Sequence, residues 1–241
     1  MIPVISSRSP RPTFPPDRFP GCLPRRSLPG ERCPLAIDRI PIIRREEWAD
    51  YARQIGGGAG LKPMVRTILD QDGVGSCATE AAAQALMIDR AFRGFEHVPL
   101  NPWFMYRITS GGRDTGSSID DNLVFLREHG CAPESLHPRS LGWRAEPSPE
   151  AVEAAKKYRI EEFYDVTSID EMVSALLMGY PVVYGANGHA VVKVRHIDET
   201  KGEDVNSWGQ AWGENGFGVW ATYRAVDFRY GAWAVRAARA E

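Results

Sequence analysis

Residues 70–80 read DQDGVGSCATE and place a cysteine, Cys77, between a glycine-rich turn and a run of strong helix formers. The alanine-rich stretch at 77–93 predicts a long, mostly buried helix that begins at this cysteine. The free N–H groups and the dipole at a helix N-terminus stabilise a thiolate. A buried cysteine alone is more often an inert packing residue, so Cys77 becomes a candidate nucleophile only if the chain also supplies a base and an oxyanion donor.

The candidates for these two roles lie on both sides of Cys77 in the sequence. Gln71, six residues earlier, is a candidate hydrogen-bond donor to an oxyanion. His189 opens a strand-like stretch, HAVVKV, and Asn206 follows it seventeen residues later. An asparagine carbonyl can orient one imidazole nitrogen while the other nitrogen faces sulfur, and Trp208 is placed to shield that hydrogen bond from water. The residue types and their order therefore predict nucleophilic thiol chemistry.

These motifs resemble those of the papain-like cysteine peptidases in content, order and approximate spacing. The matching stretches are Gln71, GSC at 75–77, GHAVV at 188–192 and NSWGQAWGENGFG at 206–218, with weaker matches at PLNPWFMY (99–106) and TGSSIDDNLVFLREHGCAPES (115–135). The resemblance spans roughly residues 60–235. It implies an α+β fold of the papain type, in which a helical half carrying the cysteine helix packs on a β-barrel-like half carrying the histidine and asparagine. The active-site cleft lies between the two halves.

Carried over by position, the resemblance implies a role for each residue of the site. Cys77 is the nucleophile, His189 is the general base and acid, and Asn206 orients His189. Gln71 and the backbone N–H of Cys77 form the oxyanion hole.

The resemblance also implies a set of substrate-binding residues. The substrate backbone runs alongside Gly116 and Ser117. Ile119 and Ala190 lie near the pocket for the side chain two residues before the cut. Trp208 belongs to the same set.

The first 45 residues differ in composition from everything after them. They hold ten of the 18 prolines, nine arginines, no lysine and three acidic residues, a local charge of +6 that leaves −8 for the rest of the chain. We predict a Pro/Arg-rich N-terminal extension at 1–45 that is extended or disordered unless it packs on the acidic body or on a partner. Autoinhibition and the absence of any role are the alternatives. Cys22 and Cys33 in this extension are expected as free thiols rather than as a local disulfide.

The remainder, residues 46–241, is the predicted catalytic domain, with a helical half at about 60–145 and a strand-rich half at about 155–241. Val74 stands where secreted members of the family have a disulfide cysteine, and the second cysteine of that bridge is also missing. Ala78 replaces the usual tryptophan. Only 185–188 separate a strand from His189 where the family has a long excursion, so we expect an open groove or one that a partner completes.

Composition narrows the function classes. A net charge of −2, 43% hydrophobic residues and no apolar run of about 20 residues give no reason to expect a nucleic-acid or membrane partner. Neither a signal peptide nor a metal or cofactor motif is recognised, and cytoplasmic location is the default expectation. The predicted function is a cysteine peptidase that acts on a peptide or protein substrate. The alternatives are another thiol acyl transfer (isopeptide or amide hydrolysis, or transamidation) and a weakly catalytic binding protein on the same fold.

Overall fold

The computed structural model describes residues 19–238 as a helical half packed on an antiparallel sheet. The helices are α1 (Trp48–Gln54), α2 (Cys77–Phe92), α3 (Trp103–Thr109), α4 (Ile119–Glu128), α5 (Pro149–Ala155) and α6 (Ile169–Leu177). The strands are β1 (Cys22–Leu23), β2 (Ser117–Ser118), β3 (Ile160–Asp165), β4 (Val182–Ala186), β5 (His189–Asp198), β6 (Lys201–Val205), β7 (Phe217–Gly218) and β8 (Ala232–Ala237). In the part of the chain that the structure describes, no helix combines the length and apolarity needed to cross a membrane.

Helix α2 forms the centre of the helical half. Every residue from Cys77 to Ala91 is buried, and α2 packs against α3, α4 and the sheet strands β5 and β8. The many alanines on α2 have small side chains, so the helix axis can approach the sheet closely. This packing places the first turn of α2 beside the beginning of β5.

The six-stranded sheet has the order β3-β8-β4-β5-β6-β7, with antiparallel pairing between neighbours. The predicted α+β fold is confirmed. Two details of the sheet depart from local sequence signals. The polar sequence of β6 gives no strand signal. The stretch GFGVWATY at 216–223, whose aromatic and β-branched residues predict a strand, pairs only through Phe217–Gly218. The second stretch leaves the sheet because Trp220 turns inward and its indole N–H donates to the Ala186 carbonyl.

Strands β4 and β5 are joined by the two-residue turn Asn187–Gly188. Both residues have positive φ, 53° and 76°, as a tight hairpin turn of the primed type requires. This turn stands where the family resemblance implies a long excursion, and the open groove expected from the sequence would lie beside it.

The N-terminal extension packs on the body wherever the structure describes it, from residue 19 onward; residues 1–18 lie outside the described residues. Strand β1 pairs in parallel with β2, with Cys22 opposite Ser117. Farther along, Ala36, Ile40 and Ile43 are buried in the hydrophobic cluster beneath α6. The extension therefore contributes to the core.

A buried ion pair lies within the strand-rich half. Lys193 on β5 and Asp204 on β6 both have fully buried side chains, with Nζ 2.9 Å from Oδ1. Asp204 also accepts hydrogen bonds from the Tyr184 hydroxyl at 3.1 Å and from the Trp220 backbone N–H at 2.9 Å. Burial lowers the pKa of Lys193 and raises that of Asp204, and the attraction between the two opposes both shifts.

Removal of one member of this pair leaves the other as an uncompensated buried charge. We expect Lys193→Met to lower the free energy of unfolding by about 3 kcal/mol, measured by urea denaturation. Lys62→Met is the matched control, because Lys62 pairs with Glu203 at 2.9 Å but its side chain is 28% exposed. The control should cost less than about 1 kcal/mol. Equal losses in the two variants would contradict the prediction.

Candidate active site

Cys77 begins helix α2 and is fully buried. The backbone N–H groups of Ala190, Gly21 and Ala78 approach its sulfur. Ala190 directly follows His189, so the contact places Cys77 Sγ beside the first residues of β5. The structure thus brings the predicted nucleophile to the strand that carries the predicted base.

His189 and Asn206 are joined by a buried hydrogen bond. Nε2 of His189 lies 2.7 Å from Oδ1 of Asn206, and the residues are 0% and 2% exposed. Because a carbonyl oxygen only accepts, Nε2 donates in this bond, and Nδ1 becomes the proton-accepting nitrogen of the neutral ring. This is the tautomer that a base acting on a thiol at Nδ1 requires.

Two tryptophans enclose the imidazole of His189. Trp208 stacks on the ring with a centroid distance of 4.5 Å and an interplanar angle of 28°. Trp220 meets it edge-on at 4.9 Å and 72°. The sequence motif indicates Trp208, but Trp220 lies outside that motif, in a stretch that carries only a strand signal. Both indoles keep water away from the bond between His189 and Asn206, which strengthens it.

Three hydrogen bonds hold the side chain of Gln71 in place. Its Oε1 accepts from the Ser207 hydroxyl and from the Trp208 indole N–H, both at 3.0 Å, and its Nε2 donates to the Val74 carbonyl at 2.7 Å. A carboxamide nitrogen carries two N–H donors, so one bond to Val74 occupies half of its donor capacity. Gln71 is 0% exposed, and its orientation is fixed by the asparagine-bearing segment.

A hydrogen-bonded clamp joins the glycine turn before Cys77 to the loop before β2. Asp114 Oδ1 accepts from the Gly75 backbone N–H at 2.8 Å and from the Tyr106 hydroxyl at 2.6 Å. The Tyr106 oxygen in turn accepts from the Gly116 N–H at 3.1 Å. Burial and the bond to Asp114 raise the pKa of Tyr106, which keeps its hydroxyl protonated. The clamp connects the turn that follows Val74 to the loop before β2, the region where the family resemblance implies a disulfide that this sequence lacks.

The N-terminal segment at 19–23 lies in the cleft between these two loops. The Gly21 carbonyl accepts from the Ser117 N–H at 2.9 Å, and the Cys22 N–H donates to the Gly188 carbonyl at 2.9 Å. A Cβ atom on Gly21 would lie 2.1 Å from the Gly75 carbonyl oxygen. The segment thus passes so close to the backbone beside Cys77 that only glycine fits at residue 21.

This segment lies against two of the five residues predicted to bind substrate and shares a hydrophobic cluster with two more. Gly116 and Ser117 are buried beneath it, and Ile119 and Ala190 are fully buried in a cluster that also contains Cys22. The sulfur of Cys22 lies 3.2 Å from the position that a Cβ of Gly185 would occupy. Cys22 therefore fills the space next to the β4–β5 turn.

Arginines fasten the next part of the extension to carboxylates of the body. Arg25 donates to Asp165 at 3.0 Å, and Arg32 donates to Asp121 at 2.7 Å. Asp120, which is 1% exposed, accepts from the backbone N–H and the hydroxyl of Ser27 at 3.0 and 2.8 Å. These bonds connect the basic extension to the acidic body.

Coverage affects the reactivity of the thiol. Burial raises the pKa of Cys77 to about 11, and the three N–H groups at its sulfur act in the opposite direction. Burial also raises the pKa of Cys33, to about 12, and that of Cys22 and Cys131. All four cysteines are free and buried. Burial in the covered state therefore favours the protonated form of the Cys77 thiol.

Comparisons with known proteins place this geometry in a wider context. No protein-family model matches the chain. An uncharacterized peptidase C1-like protein of Acanthamoeba polyphaga mimivirus is 27% identical over an alignment of 203 residues, and the match covers 64% of this chain and 64% of that protein. The match thus spans less than two thirds of that relative's length.

Two solved structures are similar over most of the chain. The crystal structure of xylellain, a cysteine protease from Xylella fastidiosa, has a TM-score of 0.68 at 20% identity and covers 94% of this chain and 100% of its own. Digestive procathepsin L2 proteinase from Tenebrio molitor larval midgut has a TM-score of 0.65 at 16% identity and covers 91% and 78%. The fold of this chain is therefore that of the papain-like cysteine proteases. With the peptidase C1-like relative, these structures confirm the family resemblance.

The close contact at Gly21 gives a direct test of coverage. We expect Gly21→Leu to displace the segment, because its side chain would collide with the Gly75 backbone. Labelling of Cys77 by iodoacetamide at pH 7.5, followed by intact mass and peptide mapping, should become at least about tenfold faster than in the wild type, since uncovering reverses the burial that raises the pKa. Pro24→Leu, at the exposed position directly after this segment, should label like the wild type. Unchanged labelling in Gly21→Leu would contradict the coverage.

Proposed function

We propose that this protein is a cysteine peptidase in which Cys77, His189 and Asn206 form the catalytic triad. The observation that carries the proposal is the buried bond from His189 Nε2 to Asn206 Oδ1, which makes Nδ1 the nitrogen that can accept a proton. Cys77 lies at the N-terminus of α2, beside the strand that begins with His189. A base oriented by a third group next to a nucleophile is the arrangement that covalent acyl transfer requires.

The proposed reaction proceeds through an acyl-enzyme. His189 Nδ1 takes the thiol proton, and the Cys77 thiolate attacks the peptide carbonyl carbon. The second N–H of Gln71 Nε2 and the backbone N–H of Cys77 stabilise the oxyanion. The imidazolium then gives its proton to the departing amine. Water, deprotonated by the same imidazole, releases the carboxylic acid and restores the thiol.

We further propose that the N-terminal segment keeps this enzyme latent. The segment occupies the backbone N–H of Ser117 and covers Gly116, so an extended substrate cannot reach either group while it is bound. Among the roles considered for the extension, autoinhibition accounts for this placement, and packing on the body accounts for its buried apolar residues.

The triad is tested by substitution in the uncovered Gly21→Leu chain. On a fluorogenic peptide library, Cys77→Ala should lower kcat/KM by about 1,000-fold or more, and His189→Ala by about 100- to 10,000-fold. Asn206→Ala should cost about 10- to 100-fold, because the imidazole is then misoriented. Cys131→Ala is the control, since that buried thiol lies outside the site. Comparable turnover in Cys77→Ala would overturn the proposal.

The pH profile and the products complete this test. A thiolate–imidazolium pair predicts a bell-shaped kcat/KM curve whose two limbs belong to the coupled pair. A single rise near pH 8.5, the ordinary thiol value, would contradict an ion pair.

Mass analysis of products with and without added amines distinguishes hydrolysis from transfer to an amine. Hydrolysis is the expected outcome.

A further inference from the structure

A small cavity lies in the interior between helix α2 and the strands β5 and β6. Gln84 of α2 and Asn206, which directly follows β6, both line it, together with valines of both strands. Gln84 comes seven residues after Cys77, so the two side chains project from the same face of the helix. The cavity therefore connects the middle of α2 to the residue that holds the imidazole of His189.

The two carboxamides at this cavity carry complementary atoms. Nδ2 of Asn206 and Oε1 of Gln84 are both buried, and neither has a hydrogen-bond partner within residues 19–238. The two residues are 2% and 4% exposed. A buried donor and a buried acceptor each cost free energy while they stay unpaired, and a hydrogen bond between them removes both costs.

The other side-chain oxygens that line the cavity are already engaged. The carboxylate of Glu80 accepts from the Ser76 hydroxyl at 3.1 Å and pairs with Arg139. The Ser207 hydroxyl donates to Gln71 at 3.0 Å. In the described part of the chain, Gln84 therefore supplies the one side-chain oxygen of this lining that has no hydrogen-bond partner.

The orientation of the Asn206 carboxamide decides which tautomer His189 adopts. Oδ1 of Asn206 accepts from Nε2 of His189 and from the Ser207 backbone N–H, both at 2.7 Å. Rotation of the carboxamide by half a turn would exchange its oxygen and its nitrogen. Nδ2 would then donate to Nε2, and the ring proton would have to lie on Nδ1. In that tautomer Nδ1 cannot take a proton from the Cys77 thiol.

We propose that Gln84 is a positioning residue that holds the Asn206 carboxamide in its productive orientation. Oε1 of Gln84 accepts from Nδ2 of Asn206, directly after rotation about the last side-chain torsion of Gln84 or through one bridging water. If the carboxamide rotated by half a turn, its oxygen would face Oε1, and two acceptors repel each other. Gln84 thus favours the tautomer in which His189 acts as a base. This inference rests on the proposed peptidase function and assigns Gln84 no contact with substrate.

A double-mutant cycle in the uncovered Gly21→Leu chain tests this role by kinetics. We expect Gln84→Leu to lower kcat by about 5- to 20-fold with KM unchanged, because the imidazole is then misoriented in most molecules. In the Asn206→Ala background, the same substitution should change kcat by less than about twofold, since the residue through which Gln84 acts is gone. Gln84→Glu keeps an acceptor oxygen in either protonation state and should retain most of the activity.

The imidazole nitrogens of the full-length chain give a second readout that needs no turnover. NMR of ¹⁵N-labelled histidine, at a pH where the ring is neutral, reports which nitrogen carries the proton, and His189→Ala assigns the signal. We expect the proton of His189 on Nε2 in the wild type and a population with the proton on Nδ1 in Gln84→Leu. Thr222→Val is the matched control. Its Oγ1 is also buried without a partner among the described residues, but it lies outside the cavity, so neither the tautomer nor kcat should change.

The possible failures are distinguishable. An unchanged tautomer and an unchanged kcat in Gln84→Leu would overturn this inference and leave the peptidase proposal standing. A loss of kcat that persists in the Asn206→Ala background, or that Thr222→Val reproduces, would also overturn it, because either result marks a general structural effect. If the Gly21→Leu chain folds well but turns over no peptide of the library, the peptidase proposal fails. In that case, or if Gly21→Leu folds poorly by its thermal transition, the tautomer in the full-length chain alone decides the role of Gln84.

Discussion

The close packing of helix α2 on strand β5 is the constraint on which the site depends. Cys77 lies at the first turn of the helix and His189 at the first residue of the strand. The two residues therefore come together only if the helix packs closely on the strand. The small side chains that allow this are fully or almost fully buried: Ala78, Ala81, Ala82, Ala83 and Ala85. Ala78, where the papain-like family usually has tryptophan, is 0% exposed, so a larger side chain there would have to displace its neighbours.

Burial of the helix on all sides also requires partners for its polar residues. Glu80 accepts from the Ser76 hydroxyl at 3.1 Å and pairs with Arg139, whose other nitrogen donates to the Asp70 carbonyl. This connection ties the first turn of α2 to the segment that carries Gln71. The nucleophile and the proposed oxyanion donor are thus positioned by one charge pair as well as by the chain between them.

Local signals in the sequence predict most helices and strands, because the residues that favour each element lie within it or at its ends. The Ser168 hydroxyl accepts from the Glu171 N–H at 3.2 Å, as the capping-box pattern predicts for the start of α6. The residues of the proposed triad can be identified from the sequence for a different reason, since each of them is flanked by a distinctive motif. The clamp of Asp114, Tyr106, Gly75 and Gly116 has no such signal. Its members come from three separate segments, and no spacing relates a tyrosine hydroxyl to two glycine N–H groups.

The N-terminal segment illustrates the same limit. Its proline and arginine content indicates an extended chain that packs on an acidic surface, but not the groove in which it lies. Gly21 reveals its role only beside Gly75, 54 positions later in the chain, where the two backbones touch. The short turn between β4 and β5 leaves one wall of the cleft low, and Cys22 occupies the space beside it. Cys22 of the same chain therefore fills this side of the cleft, where the sequence alone predicts either an open groove or one that a partner completes.

In the proposed function, the covering segment and an extended substrate require the same backbone groups, so the proposed latency is a competition for hydrogen bonds. The segment has the advantage of being tethered, which gives it an effective concentration of about a millimolar or more for a short connection. Its bonds to Ser117 and Gly188 can therefore be individually modest and still exclude a dilute peptide. The arginine–aspartate contacts also hold the segment in its position, because they fix the chain a few residues beyond Cys22. Residue 21 is the most sensitive position of the segment, since a Cβ atom there would collide with the Gly75 backbone and oppose the neighbouring bonds to Ser117 and Gly188.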